Sequence, residues 1–372
     1  MKKLIDQILA PAFMMASLII GAGMFSLPYV FARSGVVVGT IYLILMVLVA
    51  IEIHRSYAEV IEAGGEGHRF AGYAEKYLGK KGGFVGGAAV IGGIIMTLAI
   101  YLTLSASFIG LIFPGVPTFI AALTFWIFGS VMIAVGIRKF AGLDTMFFLG
   151  IVAITFAIMI FGIMFGDRNI LVLKPTDLSG IFLPLAPILF SLSGRSAISS
   201  MKEYFIERKY GRKNFIKSIA LGTIIPAFVY GAFVFGITVL SPQGVTADAV
   251  SGLAHLPFFF LCAVGVLGFC AIITSYVFLG MELRGILEKD IGMKHVIALA
   301  VSIILPAVLY FSGFNNFIFL IGFVGGIFLA LESIIVIMMR RAATLRRRPY
   351  DFILVSVFLA AMVYEVVVFI GS

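Results

Sequence analysis

The sequence predicts an all-α polytopic membrane protein. The first observation is composition: 62% of the 372 residues are hydrophobic and only 12% are charged, more apolar surface than a soluble domain can hide. The second is patterning: apolar runs of spanning length recur along the whole chain. The third is charge. The formal net charge is +9, but the basic residues fall in short clusters between apolar runs and form no continuous basic face, which excludes nucleic acid as the partner and makes the lipid bilayer the surroundings.

Taken in order, the runs cover 8–32, 36–62, 84–113, 117–137, 141–165, 180–204, 215–240, 255–282, 294–312, 315–339 and 351–371, which predicts eleven spans. Lys2 and Lys3 precede the first run, which is too long for a signal-peptide core and reads as a retained span. Tight turns are expected near Gly35 and between Pro114 and Pro117. The loop 64–81, with Phe70, Tyr73, Glu75, Lys76 and Tyr77, predicts a short interfacial helix, either an inner gate or a plain connector. Gly82-Gly83, Gly86-Gly87 and Gly92-Gly93 follow, and small residues at this spacing let helices approach closely. With the N-terminus cytoplasmic, all 27 Lys and Arg residues except Arg33, Arg168, Lys174 and Arg195 fall in cytoplasmic segments. The predicted orientation is therefore N-terminus in and C-terminus out, in the cell (plasma or inner) membrane.

Cys262 and Cys270 are eight residues apart on one predicted helix, about 12 Å along its axis, too far for a disulfide; both read as small apolar core residues. His54, His68, His255 and His295 are scattered, mostly at run edges, with no metal-ligand spacing. No His-Glu-x-x-His, intramembrane His/Asp set or nucleophile elbow is present, so an enzyme is not expected.

Two runs are interrupted. The first carries Ile20-Gly21-Ala22-Gly23-Met24-Phe25-Ser26-Leu27-Pro28, and each Gly costs a helix about 1 kcal/mol relative to Ala. Freed backbone groups cannot face lipid, so such a break implies a cavity. The sixth run is broken at Phe190-Ser191-Leu192-Ser193-Gly194-Arg195-Ser196. It lies five runs later and so crosses in the opposite direction. Paired interruptions of opposite direction point to inverted repeats. The expectation is one transport domain over 1–372, with a first repeat at 8–165, an inverted second at 180–339 and an additional span at 351–371.

An amino acid held at the midplane needs both its charges met. The N–H groups of Ala22, Gly23 and Met24 suit a carboxylate, and the carbonyls of Ile19 and of Phe190 to Ser193 suit an ammonium. Tyr101 either covers this site and donates its hydroxyl or is a core tyrosine bonded to a neighbouring helix. In the eighth run the adjacent hydroxyls of Thr274 and Ser275 either meet a hard cation or cap their own helix.

The run Ile20 to Tyr29 resembles the first span of amino acid permeases of the amino acid–polyamine–organocation superfamily, in particular the aromatic and hydroxy amino acid permeases and the amino acid/auxin permeases. Phe190 to Ile198 and Thr274 to Gly280 are similar to their span 6 and span 8 motifs, in family order and spacing. The resemblance implies the leucine-transporter-type fold of five plus five inverted helices with discontinuous spans 1 and 6. It implies substrate contacts at both breaks, Gly194 and Arg195 included. In sodium-coupled relatives one ion lies between span 1 and an Ala-x-x-Thr-Ser of span 8; by position these are Ser17, Ile20, Ala271, Thr274 and Ser275. Some relatives couple to protons instead, and certain of these place a lysine in span 5 near this ion site; the run Phe147 to Phe165 has no basic residue, which leans mildly towards sodium.

Arg195 departs from relatives, which often carry His or an aromatic there. Arginine near the bilayer centre is expensive. Three readings stay open: a partner for an acidic substrate group, a fixed charge that replaces a coupling ion or gates the site, and a structural role at an outer vestibule or a protein carboxylate. The remaining intramembrane carboxylates are Glu52, Glu332 and Glu365. Glu52 has Arg55 within one turn, and Glu52 and Glu332 are the proton-coupling candidates. The function expected is ion-coupled symport of amino acids by alternating access, with no cofactor other than sodium as coupling ion. The rivals are an uncoupled exchanger or facilitator and a membrane-embedded amino acid sensor.

Overall fold

The computed structural model describes residues 4–65, 67–136, 143–167 and 180–371, with backbone alone over 143–147. Lys2-Lys3, Arg138-Lys139, Arg168 and Lys174 lie outside the described residues. Among the described residues every regular element is helical. These are α1 (Ile5–Ile19), α2 (Ala22–Ser34), α3 (Val36–Gly64), α4 (Phe70–Ile112), α5 (Thr118–Val135), α6 (Leu143–Phe165), α7 (Leu185–Ser191), α8 (Arg195–Glu207), α9 (Arg212–Val239), α10 (Phe258–Lys289), α11 (His295–Phe311), α12 (Phe317–Thr344) and α13 (Asp351–Gly371).

Eight of these helices are long and apolar enough to cross a bilayer, and α1 and α2 together form one broken span bent by 54°. Helix α11 is a shorter apolar helix. The chain is a multi-pass membrane protein. Its lipid-facing helices α5 and α13 carry exposed Phe119, Phe128, Phe352 and Val367, whereas the middle of the bundle is closed by buried side chains from α1, α4, α9 and α10.

Turns follow the punctuation of the sequence. Gly35 joins α2 to α3 at φ +90°, a backbone region that L side chains rarely adopt. Gly79 interrupts α4 at φ +75° and folds its first two turns back onto the rest. Gly83 then faces Glu75, Gly86 faces the Ala74 methyl and Gly87 faces Ala71, so the glycine pairs let the short helix lie against the long one. The backbone N–H groups of Arg69 and Gly72 donate to the Asp290 carboxylate at 3.1 and 3.0 Å, which anchors the start of this short helix at the end of α10.

In α12 a stretch of π-helix, Val324–Leu329, widens the turn. It pushes Phe328 onto Gly92 and Gly93 of α4. Cys262 and Cys270 are free and half-buried along α10 rather than core residues.

Charged loops meet at one end of the bundle. Arg348, between α12 and α13, bonds Glu52 closely and Glu59 at 2.8 Å, both on α3. Arg212 at the start of α9 reaches Glu62 at 2.8 Å. Arg340 and Asp351 form a buried pair at 2.5 Å. Glu52 therefore has Arg348 as its main partner, and Arg55 is 3.8 Å away.

Candidate functional site

The first break follows from two glycines. Helix α1 ends at Ile19. Ile20 turns extended at φ −75°, ψ 93°, which takes its carbonyl out of the helical ladder. Gly21 is extended as well, and a 3₁₀ turn, Ala22–Ser26, leads into α2. The first N–H groups of such a turn have no carbonyl inside it. Met24 N–H reaches back to Gly21 at 3.4 Å, and the Ser26 hydroxyl donates to the Gly23 carbonyl at 2.7 Å.

Both glycines are required by contact. A Cβ on Gly21 would lie 2.7 Å from the Tyr101 hydroxyl, and one on Gly23 would lie 2.6 Å from Ser191 Cα. The missing side chain at Gly23 lets the break of α1 and α2 touch the break of α7 and α8, and that at Gly21 lets the same break approach Tyr101 of α4 and Ser275 of α10. At that second break, Leu192 to Gly194 leave helical geometry. A Cβ on Gly194 would lie 2.5 Å from Ile19.

Two buried side chains hold the breaks together. The Tyr230 hydroxyl on α9 lies 2.9 Å from the Ile19 carbonyl and 2.7 Å from the Ser191 carbonyl, and shares its proton between them. His54 on α3 accepts the Gly194 N–H on Nε2 at 3.1 Å. Its Nδ1 must then carry the proton, and it donates to Thr223 Oγ1 at 3.0 Å. His54 is thus a buried part of the site and not a loop-edge histidine. No sequence signal marks Tyr230, which reads as one more aromatic in an apolar run.

A cavity of about 70 Å³ lies between the breaks and α4, α10 and α12. Ile19, Ala22, Gly23, Tyr101, Phe190, Ser193 and Arg195 line it. Met24, Ser191 and Gly194 do not: Met24 is turned into the core, and Ser191 and Gly194 are occupied by Tyr230 and His54. The Tyr101 hydroxyl lies within reach of the Ala22 backbone and Ser275, so it both borders the cavity and bonds its neighbours.

Ser17, Ile20, Ala271, Thr274 and Ser275 all line a second, smaller cavity of about 20 Å³, together with Leu18, Phe148, Ile151 and Phe278. That volume suffices for a single water-sized occupant. The Ser17 hydroxyl donates to Met14 at 2.9 Å and that of Thr274 to Ala271 at 3.0 Å, and both hydroxyls keep lone pairs for a cation. Among the described residues no charged side chain lines this cavity, and its polar side chains, Ser17, Thr274 and Ser275, carry hydroxyl oxygens, which suit a hard monovalent cation.

Arg195 faces protein carboxylates. Its Nε is 2.9 Å from Glu332 Oε2 on α12, and its Nη1 is 3.6 Å from Glu282 Oε1 on α10. The guanidinium lies 4.4 Å above the centre of the Phe70 ring and 5.6 Å from that of Tyr57, geometry that stabilises a cation away from water. Of the three readings of Arg195, the contact observed is with protein carboxylates and not an outer vestibule. Sequence reasoning passed over Glu282 because it closes an apolar run just before Arg284 and so reads as a boundary.

A sequence model described as the tryptophan/tyrosine permease family matches residues 5–371. The chain belongs to this family. No curated protein matches it. Among solved structures, this permease is similar to MhsT in complex with L-phenylalanine, with 14% identity, 96% of this chain and 97% of that chain covered, and a TM-score of 0.64. It is similar to the Eremococcus coleocola manganese transporter in complex with an aromatic bis-isothiourea substituted compound, with 14% identity, 98% and 86% covered, and a TM-score of 0.66. It is also similar to Mhp1, a nucleobase-cation-symport-1 family transporter in a closed conformation with bromovinylhydantoin bound, with 12% identity, 96% and 90% covered, and a TM-score of 0.62. The fold is the leucine-transporter type, and the protein is a transporter and not an enzyme.

Proposed function

We propose that this permease is a secondary active transporter of amino acids that couples uptake to sodium and works by alternating access. The observation that carries the reading is the contact between two helix breaks around one cavity, bridged by Tyr230. The substrate carboxylate is assigned to the start of the 3₁₀ turn at Ala22 and Gly23, which line the cavity and where N–H groups and the helix dipole favour an anion. Its ammonium is assigned to the carbonyls of Ile19 and the Phe190–Ser193 stretch, which accept a second donor beside Tyr230. MhsT was solved with L-phenylalanine, a ligand with the same zwitterionic head.

Sodium is assigned to the five residues of the smaller cavity, with the Ile20 and Ala271 carbonyls and the hydroxyls of Ser17, Thr274 and Ser275 as ligands. An ion there would neutralise freed backbone dipoles at the α1 break and tie that break to α10. The unit of transport is the single domain 1–372, with inverted repeats at 8–165 and 180–339 and the segment 351–371 outside them. The basic loops assign the N-terminus to the cytoplasm and the C-terminus to the far side of the cell membrane.

Uptake of labelled amino acids into proteoliposomes, with sodium and pH gradients imposed separately, tests the reading. Accumulation under the sodium gradient is expected. Accumulation under the pH gradient alone would overturn the ion assignment, and none under either would overturn coupled transport.

A further inference from the structure

Arg195 stands between two carboxylates and is bonded to one. Its Nε is 2.9 Å from Glu332 on α12, whereas its Nη1 is 3.6 Å from Glu282 on α10, beyond hydrogen-bond distance. Glu282 is 7% exposed, and its Oε2 is buried with no hydrogen-bond partner among the described residues. A buried carboxylate oxygen left unpaired is costly and calls for an explanation. The cluster thus offers one cation two seats, and about 1 Å of travel brings the guanidinium from the first to bonding distance of the second.

The bonded pair is also a partition. Arg195, Glu332, Ser193 and Leu329 line the larger cavity on one side and a third cavity, of about 30 Å³, on the other. The third cavity lies between α3 and α12, beside Ile53, Ser333 and Val336, on the way to the end of the bundle where Arg348 joins Glu52 and Glu59. Glu282 lines the larger cavity and not the third, so a guanidinium seated on Glu282 leaves the partition. Arg195 opens a short helix, α8, bounded by the unwound Leu192–Gly194 at one end and by Lys209 at φ +54° beyond the other. The rings of Phe70 and Tyr57 flank its guanidinium, and aromatic faces hold a cation without a directed bond. We propose that Arg195 is a two-position gate. On Glu332 it closes the larger cavity from the charged end of the bundle. On Glu282, after a shift of α8, it joins the two cavities and opens that end. The unpaired Oε2 is the vacant seat of the second state.

This inference rests on the alternating-access reading, and its test needs neither substrate nor sodium. Full-length protein with Cys262 and Cys270 changed to alanine carries one reporter, Thr97→Cys, which borders the larger cavity and not the third. A membrane-impermeant methanethiosulfonate labels it in vesicles of either orientation, and the effect is expected from the face that carries the charged loops. Glu332→Gln leaves Arg195 the Glu282 seat and is expected to raise the labelling rate about tenfold or more, the scale of one buried charge-assisted bond. Glu282→Gln removes the second seat and is expected to lower the rate by a similar factor. A purely structural pair predicts otherwise: neutralising an unpaired carboxylate at Glu282 leaves the rate unchanged. Equal labelling of Glu282→Gln and its parent would therefore overturn the gate, even where Glu332→Gln fails to fold by its unfolding temperature. A shift of both variants in the same direction would also overturn it. Opposite shifts without uptake of any amino acid sink the transport assignment and leave the gate; uptake with unchanged labelling sinks the gate alone.

Discussion

His54 Nε2 accepts the backbone N–H of Gly194 at 3.1 Å, so a side chain on α3 supplies the acceptor that the broken α7–α8 segment lacks. The chain continues from Nδ1 to Thr223 Oγ1, and from that hydroxyl to the Ile219 carbonyl at 2.9 Å. Two helices, α3 and α9, are thereby held to one unwound turn. An orphaned buried N–H costs about 1–3 kcal/mol. His54→Leu is expected to lose about that much stability in thermal unfolding and to lose uptake. His54→Gln, whose amide oxygen is an acceptor, should recover part of both.

Gly23 tests the contact of the two breaks. A methyl group there meets Ser191 Cα at 2.6 Å, whereas one on Gly110 meets nothing within 4 Å. Gly23→Ala is expected to abolish substrate binding measured by scintillation proximity. Gly110→Ala, in the same assay, should bind as wild type and gain up to about 1 kcal/mol of helix stability.

Arg195 and Glu332 form a buried pair at 2.9 Å with Glu282 close by. Removal of one partner of such a pair costs about 3–5 kcal/mol because the other charge stays buried and unpaired. Arg195→Ala should therefore lower the unfolding temperature sharply. Arg195→Ala with Glu332→Gln should recover part of the loss, since one of the stranded charges is gone. Equal unfolding temperatures for wild type and Arg195→Ala would contradict a structural role for the pair.

Thr274 and Ser275 provide the side-chain oxygens that α10 brings to the smaller cavity. The double variant Thr274→Ala with Ser275→Ala should remove the sodium dependence of uptake while leaving the fold intact, as read by unfolding temperature. Unchanged sodium dependence would refute the ion assignment.

The helix breaks were legible because glycine and adjacent hydroxyls inside an apolar run have no cheap explanation in lipid. Gly21, Gly23 and the Phe190–Ser196 stretch announced themselves by composition, and opposite direction followed from counting runs. The grouping of Ser17 and Ile20 with Ala271, Thr274 and Ser275 was reached through family resemblance, and all five border one cavity. Tyr230, His54 and Glu282 were not legible. Each belongs to a residue type common in or beside apolar runs; Tyr230 and His54 acquire their roles from partners more than a hundred residues away, and Glu282 stands near Arg195 with one oxygen that has no hydrogen-bond partner among the described residues.

By itself, then, the sequence determined the environment, the helical class and where the backbone must break, because these depend on hydropathy and local backbone cost. Only the tertiary structure decided what meets at the breaks: Tyr230 across the Ile19 and Ser191 carbonyls, His54 on Gly194, and Arg195 against Glu332 with Glu282 left over. The physical reason is that hydrogen bonds and ion pairs act at about 3 Å. Such distances between remote segments are set by helix packing, and no local pattern in the chain encodes them.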